Sequence, residues 1–356
     1  MTPARPKVSV IIPCYNLGQY LDEAVESVLS QTFQDFEIVI VDDGSTDPAT
    51  QVLLADYHRP RTRLIRAPHA GVSAARNLAI ANSDGAYLCA LDADDRLEPT
   101  YLAKAVACLD ADRSIGFVSC WLRTFGAAEW EWKPEQCELP GLLWEDTVVT
   151  AALMRREAVV AAGGYDTQMP SQGAEDWDLA LTLVSLGYRG TILREILFNY
   201  RRREGSLSTV SWQGSAHLPL AEYLVHKHWQ TYQTHLTDVL LHQDAETAAL
   251  LRRNDELERY IASDLEPWIA LRQQELVTLR SRLPVAAPDA TDVQRQLQPQ
   301  LEPQLQPQLQ PQLQAMQTAL ADVRAEVAAL HASKSWRLTA PLRRAYEIWL
   351  RRGPAQ

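Results

Sequence analysis

The sequence lacks any apolar run near the ~18–20 residues that a bilayer-spanning helix needs. Residues 1–7 carry no apolar core ahead of a cleavage site, which argues against a secretory leader. Cysteine is scarce. Cys14, Cys89, Cys108, Cys120 and Cys137 are odd in number, scattered and never spaced C-x-x-C. Neither a disulfide framework nor a zinc site is indicated, and a reducing cytoplasm is expected. No G-x-G-x-x-G follows the first apolar run and no G-x-x-x-x-G-K-[ST] occurs, so the phosphate-cradling loops of a dinucleotide-binding dehydrogenase and of a P-loop nucleoside triphosphatase are both missing. Positive charge is in deficit. With 34 Lys and Arg against 45 Asp and Glu, the net charge of −11 excludes general nucleic-acid binding. What remains is an ordinary globular composition in 356 residues, room for two to three domains at about 150 residues each.

The chain reads in two halves. Up to about residue 203, short apolar runs alternate with helical patterns. Strands are expected at 8–12, 36–41, 63–66 and 86–91, and helices at 18–31, 47–57, 72–82 and 99–109. Strands this apolar, separated by helices, give an α/β fold with a mainly parallel sheet covered on both faces. In such sheets ligands sit at the carboxyl ends of the strands. After residue 205, helix formers dominate to 283, and His228, His235 and His242 recur every seven residues, the spacing of a polar stripe on one long helix. Residues 296–314 then repeat leucine and proline every fourth position. Proline that often removes helical hydrogen bonds, so an extended spacer is expected. The expected divisions are a catalytic domain at 1–210, a helical extension at 211–283, a Pro/Gln/Leu linker at 284–314, and an amphipathic or coiled-coil helix with a basic tail at 315–356.

Carboxylates at strand ends carry the chemistry. Asp42 and Asp43, with Gly44 for a turn, follow the second strand and are placed to accept hydrogen bonds from a ligand. The same residues suit a plain turn with Asp47 as helix cap. Asp92, Asp94 and Asp95 follow the strand ending at Leu91. Three carboxylates in four residues repel one another unless a cation offsets them, and hard oxygens suit Mg²⁺ or Mn²⁺. A solvated acidic loop is the alternative. Glu175, Asp176 and Asp178 open a further helix. There, acids are favoured by the helix dipole, or one of them serves as general base for a hydroxyl nucleophile. Tyr15, after the first strand, is placed to border a base or to end a strand. Arg76 can meet a phosphate or an acidic loop, or be a surface cation.

Taken together, the segments 8–16, 30–33, 41–47, 71–77, 91–95, 163–166 and 175–178 resemble, in order, the signature of the family 2 glycosyltransferases over residues 7–205. The resemblance implies a GT-A type, Rossmann-like fold and an inverting transferase that uses a divalent cation. By the family pattern, Pro13, Tyr15 and Asp43 line the nucleoside pocket. Asp92 and Asp94 match the family's D-x-D, with Asp94 as direct metal ligand, and Asp176 matches the catalytic base. The expected partners are a nucleotide-diphospho-sugar donor and a glycan or lipid-linked acceptor. The membrane helices and Q-x-x-R-W motif of processive members are absent, so a single addition is expected. Trp121, Trp130, Trp132 and Trp144 can stack on a sugar or fill the core.

Residues 333–343 are similar to a tail found on many bacterial surface-polysaccharide glycosyltransferases. From 334 to 356, six cations stand against one acid. A basic helix with tryptophans on its apolar side suits peripheral contact with an anionic membrane, or docking on the protein's own body. Residues 315–332 are a candidate for self-association. Two rival readings are weighed. A nucleotidyltransferase would need a glycine-rich triphosphate loop, which is absent. A non-catalytic scaffold with a nucleotide-binding front domain is distinguished by failing to turn over any nucleotide sugar.

Overall fold

The structure, a computed structural model, describes residues 5–203, 218–260 and isolated positions thereafter. The chain divides into two compact units, Met1–Val239 and Leu240–Gln356. The expected linker at 284–314, the coiled-coil segment at 315–332 and the tail at 333–356 lie outside the described residues, apart from one isolated helical position at Thr318.

The first unit is built on a nine-stranded sheet among the described residues. Its elements are β1 (Val8–Cys14), α1 (Gly18–Leu29), β2 (Phe36–Asp43), α2 (Pro48–Ala55), β3 (Thr62–Ala67), α3 (Val72–Ala81), β4 (Tyr87–Ala90), β5 (Arg96–Leu97), α4 (Tyr101–Ala111), β6 (Ile115–Gly126), β7 (Glu131–Trp132), β8 (Leu153–Arg155), α5 (Arg156–Ala161), α6 (Glu175–Ser185) and β9 (Arg189–Arg202). Every residue of β1 is buried, as a strand covered on both faces requires. It lies between β2 and β4, parallel to both, with Val8 level with Phe36 and with Tyr87. Helix α1 turns Leu21, Ala24, Val25 and Val28 inward at three- and four-residue spacing. Asp47 caps α2, accepting the Thr50 amide at 2.8 Å ahead of Pro48, so the turn reading of that acid is realised.

The strand order is β3-β2-β1-β4-β8-β6-β9-β5, with β7 beside β6. The four strands up to β4 are all parallel, as expected. Beyond them the sheet is mixed. β8 runs antiparallel to both β4 and β6, β5 runs antiparallel to β9, and only β6 and β9 are parallel. The physical reason is the connection. Parallel neighbours need a helical crossover, but between β6 and β8 the chain forms no α-helix, only β7 and the 3₁₀ turn Gly141–Leu143.

The extension begins with α7 (Leu218–Lys227), α8 (Trp229–Thr234) and α9 (Leu236–Tyr260). The histidine stripe is not on one helix. His228 sits between α7 and α8, buried, and His235 ends α8. Leu220, Leu224 and Tyr232 are buried too. No described helix is long and apolar enough to cross a membrane.

Candidate active site

The carboxyl ends of β1, β2 and β4 and the start of α6 bring the sequence-selected side chains to one side of the sheet. Pro13 is buried at the end of β1, level with Val41, and Tyr15 just beyond it is 39% exposed. Asn16, in the left-handed region at φ 56°, clasps the next strand end. Its Oδ1 accepts the amides of Thr46 and Asp47 at 2.7 and 2.8 Å.

Asp43 is buried and well satisfied. Its two oxygens accept the amides of Ala70 (2.8 Å) and Gly71 (3.0 Å), and His69 Nδ1 lies 2.8 Å from Oδ2. The His69 ring stacks on Tyr15, centroids 4.1 Å apart. Gly44 makes this approach possible. Its φ is +70°, and a Cβ there would meet the His69 amide at 2.6 Å. His69 was not selected from the sequence, and a lone histidine ahead of Ala70 and Gly71 gave no signal for it.

Arg76 joins the two acidic segments. It is 1% exposed, yet it donates to Asp92 Oδ1 at 2.8 Å and to Glu175 Oε1 at 2.9 Å, and it lies over the Tyr165 ring. Burial opposes its charge, but the carboxylates of Asp92 and then Glu175 outweigh it and raise the pKa further. Of the alternatives open from sequence, the surface cation is excluded and the acidic-loop partner is realised. Glu175 is held below its usual range against its own burial, mainly by Arg76. A deep cation with two carboxylate partners from residues far apart in the chain is a rigid strut between Asp92 and the start of α6.

Asp94 and Asp95 are tied to the end of β9. Arg203 Nε donates to Asp94 Oδ2 at 2.6 Å, the Arg201 amide to Asp95 Oδ1 at 2.7 Å, and Arg201 Nε to the Asp94 carbonyl at 2.8 Å. The other oxygen of Asp95 is buried with no partner among the described residues, and burial holds this carboxyl well above its usual range, with Asp94 and Asp92 adding to the shift. Burial and then Asp92 raise Asp94 as well. These side chains fit a divalent cation in kind. Asp92 and Asp94 are neighbouring hard-oxygen donors, each using one oxygen on an arginine, with no second side chain pairing to either among the described residues. No group of three or more His, Cys, Asp or Glu is assembled for a metal among the described residues. Asp92 and Asp94 would be the side chains to hold such a cation, with the rest of its ligands coming from outside the protein. The run 201–203 of three arginines was the overlooked signal for these partners.

Asp176 stands half-buried in the first turn of α6. Thr150 Oγ1 donates to its Oδ2 at 2.7 Å and the Trp177 amide to its Oδ1 at 2.9 Å. Burial, and secondarily Glu175, push its carboxyl up to about 6, while Arg76 and the Thr150 bond restrain the rise. A carboxyl with a proton affinity this close to neutral pH has the chemistry that general-base catalysis calls for. Of the four tryptophans, Trp130 is 48% exposed at the far end of β6, whereas Trp132 and Trp144 pack against the core and Trp121 Nε1 is bound to the Pro134 carbonyl.

Comparison with known proteins agrees with this geometry. The family model described as Glycosyl transferase family 2 matches residues 9–163. The chain is 31% identical over 207 residues to EpsE of Bacillus subtilis (strain 168), covering 55% of this chain and 73% of EpsE. It is 40% identical over 116 residues to the chondroitin synthase of Escherichia coli, but that stretch is 32% of this chain and only 16% of the synthase. Among solved structures, S. aureus TarS 1–349 in complex with UDP-GlcNAc superposes with a TM-score of 0.52 at 18% identity, over 64% of this chain and 70% of that one, which places the fold as GT-A type. With 73% of EpsE's length matched at 31% identity and the family model lying across residues 9–163, the chain belongs to the family 2 glycosyltransferases.

Proposed function

We propose that this glycosyltransferase moves one sugar from a nucleotide-diphospho-sugar to an acceptor hydroxyl in a single, inverting displacement. The observation that supports the reading is the pairing of Arg76 with both Asp92 and Glu175, the residue next to Asp176, whose carboxyl is pushed up to about 6. Pro13, Tyr15 and Asp43 bind the nucleoside end. Asp92 and Asp94 would hold a divalent cation, Mn²⁺ or Mg²⁺, which would supply positive charge to offset that of the leaving diphosphate. Asp176 takes the acceptor proton at Oδ1 or Oδ2 as the hydroxyl attacks the anomeric carbon from the face opposite the leaving group. Thr150 and the Trp177 amide orient that carboxylate.

Glycan and lipid-linked acceptors are the proposed partners. The partial matches to chondroitin and hyaluronan synthases support surface-polysaccharide assembly. A basic tail at the inner face of the membrane would suit a lipid-carried acceptor, with residues 315–332 available for self-association.

The test is thermal-shift binding of uridine, guanosine and thymidine diphosphates, each with and without Mn²⁺. One nucleotide should raise the melting temperature, and only with the metal. No shift with any of them would remove the donor site. Asp176→Asn should keep that binding and lower kcat by about 10²–10⁴-fold. Transfer at the wild-type rate would displace Asp176 as base.

A further inference from the structure

Helix α6 opens with three acids, and each has a different partner. Glu175 binds Arg76 and Asp176 binds Thr150, both within the sheet domain. Asp178 instead binds the helical extension. It is 1% exposed, and its two oxygens meet His228 Nε2 at 2.8 Å and Lys227 Nζ at 2.7 Å. The same ammonium also reaches Asp166 Oδ2, which accepts the Tyr223 hydroxyl at 2.9 Å. Burial works against the charge on Lys227, but its bonds to Asp166 and Asp178 outweigh that and raise its pKa.

The position of this lysine matters more than its charge. Asp166 and Asp178 bracket residues 167–177, an exposed loop followed by the first turn that carries Glu175 and Asp176. One side chain from α7 therefore ties both ends of the segment that presents the base. The extension holds the neighbouring wall as well. The Tyr232 hydroxyl donates to the Leu143 carbonyl at 2.6 Å, and Trp177 Nε1 donates to the Leu142 carbonyl at 2.7 Å.

We infer that Lys227, with His228, is a positioning residue for transfer, fixing the Asp176 segment through Asp166 and Asp178. This rests on Asp176 being the base. The extension is then part of the transfer machinery. A misplacement of about 1 Å at a reacting group can cost 10²-fold in rate, so a loosened segment lowers kcat while leaving donor contacts intact.

The test uses the full chain with Lys227→Met and Lys227→Arg. Amide exchange read by mass spectrometry should quicken over residues 167–178 in the Met variant, stay unchanged over β1 to β4, and return toward wild type in the Arg variant. With the donor found by the nucleotide screen, kcat should fall about tenfold to a hundredfold in the Met variant, with donor KM and nucleoside diphosphate affinity unchanged. Unchanged exchange, or exchange that quickens throughout the unit, overturns the positioning role, as does a wild-type kcat in Lys227→Met. Local exchange as expected, with no donor turned over even by the wild-type protein, upholds the tie and removes only the transfer reading.

Discussion

Arg76 acts on two carboxylates far apart in the sequence, Asp92 and Asp176. Asp92 is paired with the Arg76 guanidinium. Asp176 is pushed up to about 6, first by burial and then by the Glu175 charge. The sign of the resulting pH dependence follows directly. Burial disfavours the ionised form, so the proton stays on Asp176 up to about pH 6, where an ordinary aspartate would have lost it near 4. In the proposed role Asp176 must be ionised to take the acceptor proton. The transfer rate should rise about tenfold per pH unit below 6 and level off above it, as a pH–kcat profile will show. A limb near 4 would mean that the base has an ordinary environment. Asp94 and Arg203 show what the sequence hides at this scale. The acid was legible as a candidate ligand because of its neighbours. Its arginine partner lies more than a hundred residues away, and only the pairing of β5 with β9 brings them together. His69 was silent for a similar reason, since its contact with Asp43 depends on the left-handed turn at Gly44.

Among the elements, those up to α4 other than β5 were readable within a few residues of their observed limits, and for β1, β2 and β4 burial on both faces writes the strand as a continuous apolar run. Ser9 is the lone polar residue in β1, and it is satisfied by Glu37 at 2.8 Å. The second half was less legible. β5 and β7 are two residues each, too short to show a period. β9 is long but only partly buried, so its pattern is diluted. The histidine stripe misled because tertiary contact overrode helical continuity: His228 leaves the helix line to meet Asp178. Close packing of β6 on β9 gives this level its own prediction. Gly190 has no room for a methyl group, since a Cβ would approach Phe117 Cζ at 2.4 Å and Cys137 Sγ at 2.6 Å. Gly190→Ala should therefore cost about 1–3 kcal/mol by overpacking, measured by urea denaturation.

For the molecule as a whole, the compact unit that ends at Val239 includes the first helices of the extension. A chain ending at residue 260 should keep the melting temperature of the full protein's sheet domain. A chain ending at 203 should lose stability by several kcal/mol, on the scale of about 1.5–3 kcal/mol for each of the buried Leu220 and Leu224 side chains it deletes. Calorimetry of the two chains checks this. Equal melting temperatures would make the extension an appendage.

The pairing of β9 with β5 and β6 also sets an order of events during synthesis. The parallel half of the sheet is contiguous in sequence and can assemble as soon as residues 8–90 have emerged. The acidic loop directly after it cannot be completed then, because the groups that satisfy Asp94 and Asp95 are at Arg201 and Arg203. A nascent chain thus carries the parallel half of the sheet with Asp94 and Asp95 still lacking these partners for as long as it takes to make about a hundred more residues, roughly 5–20 s at ordinary elongation rates. Ribosome-bound chains halted before and after residue 203 should differ sharply in protease resistance around residues 92–97.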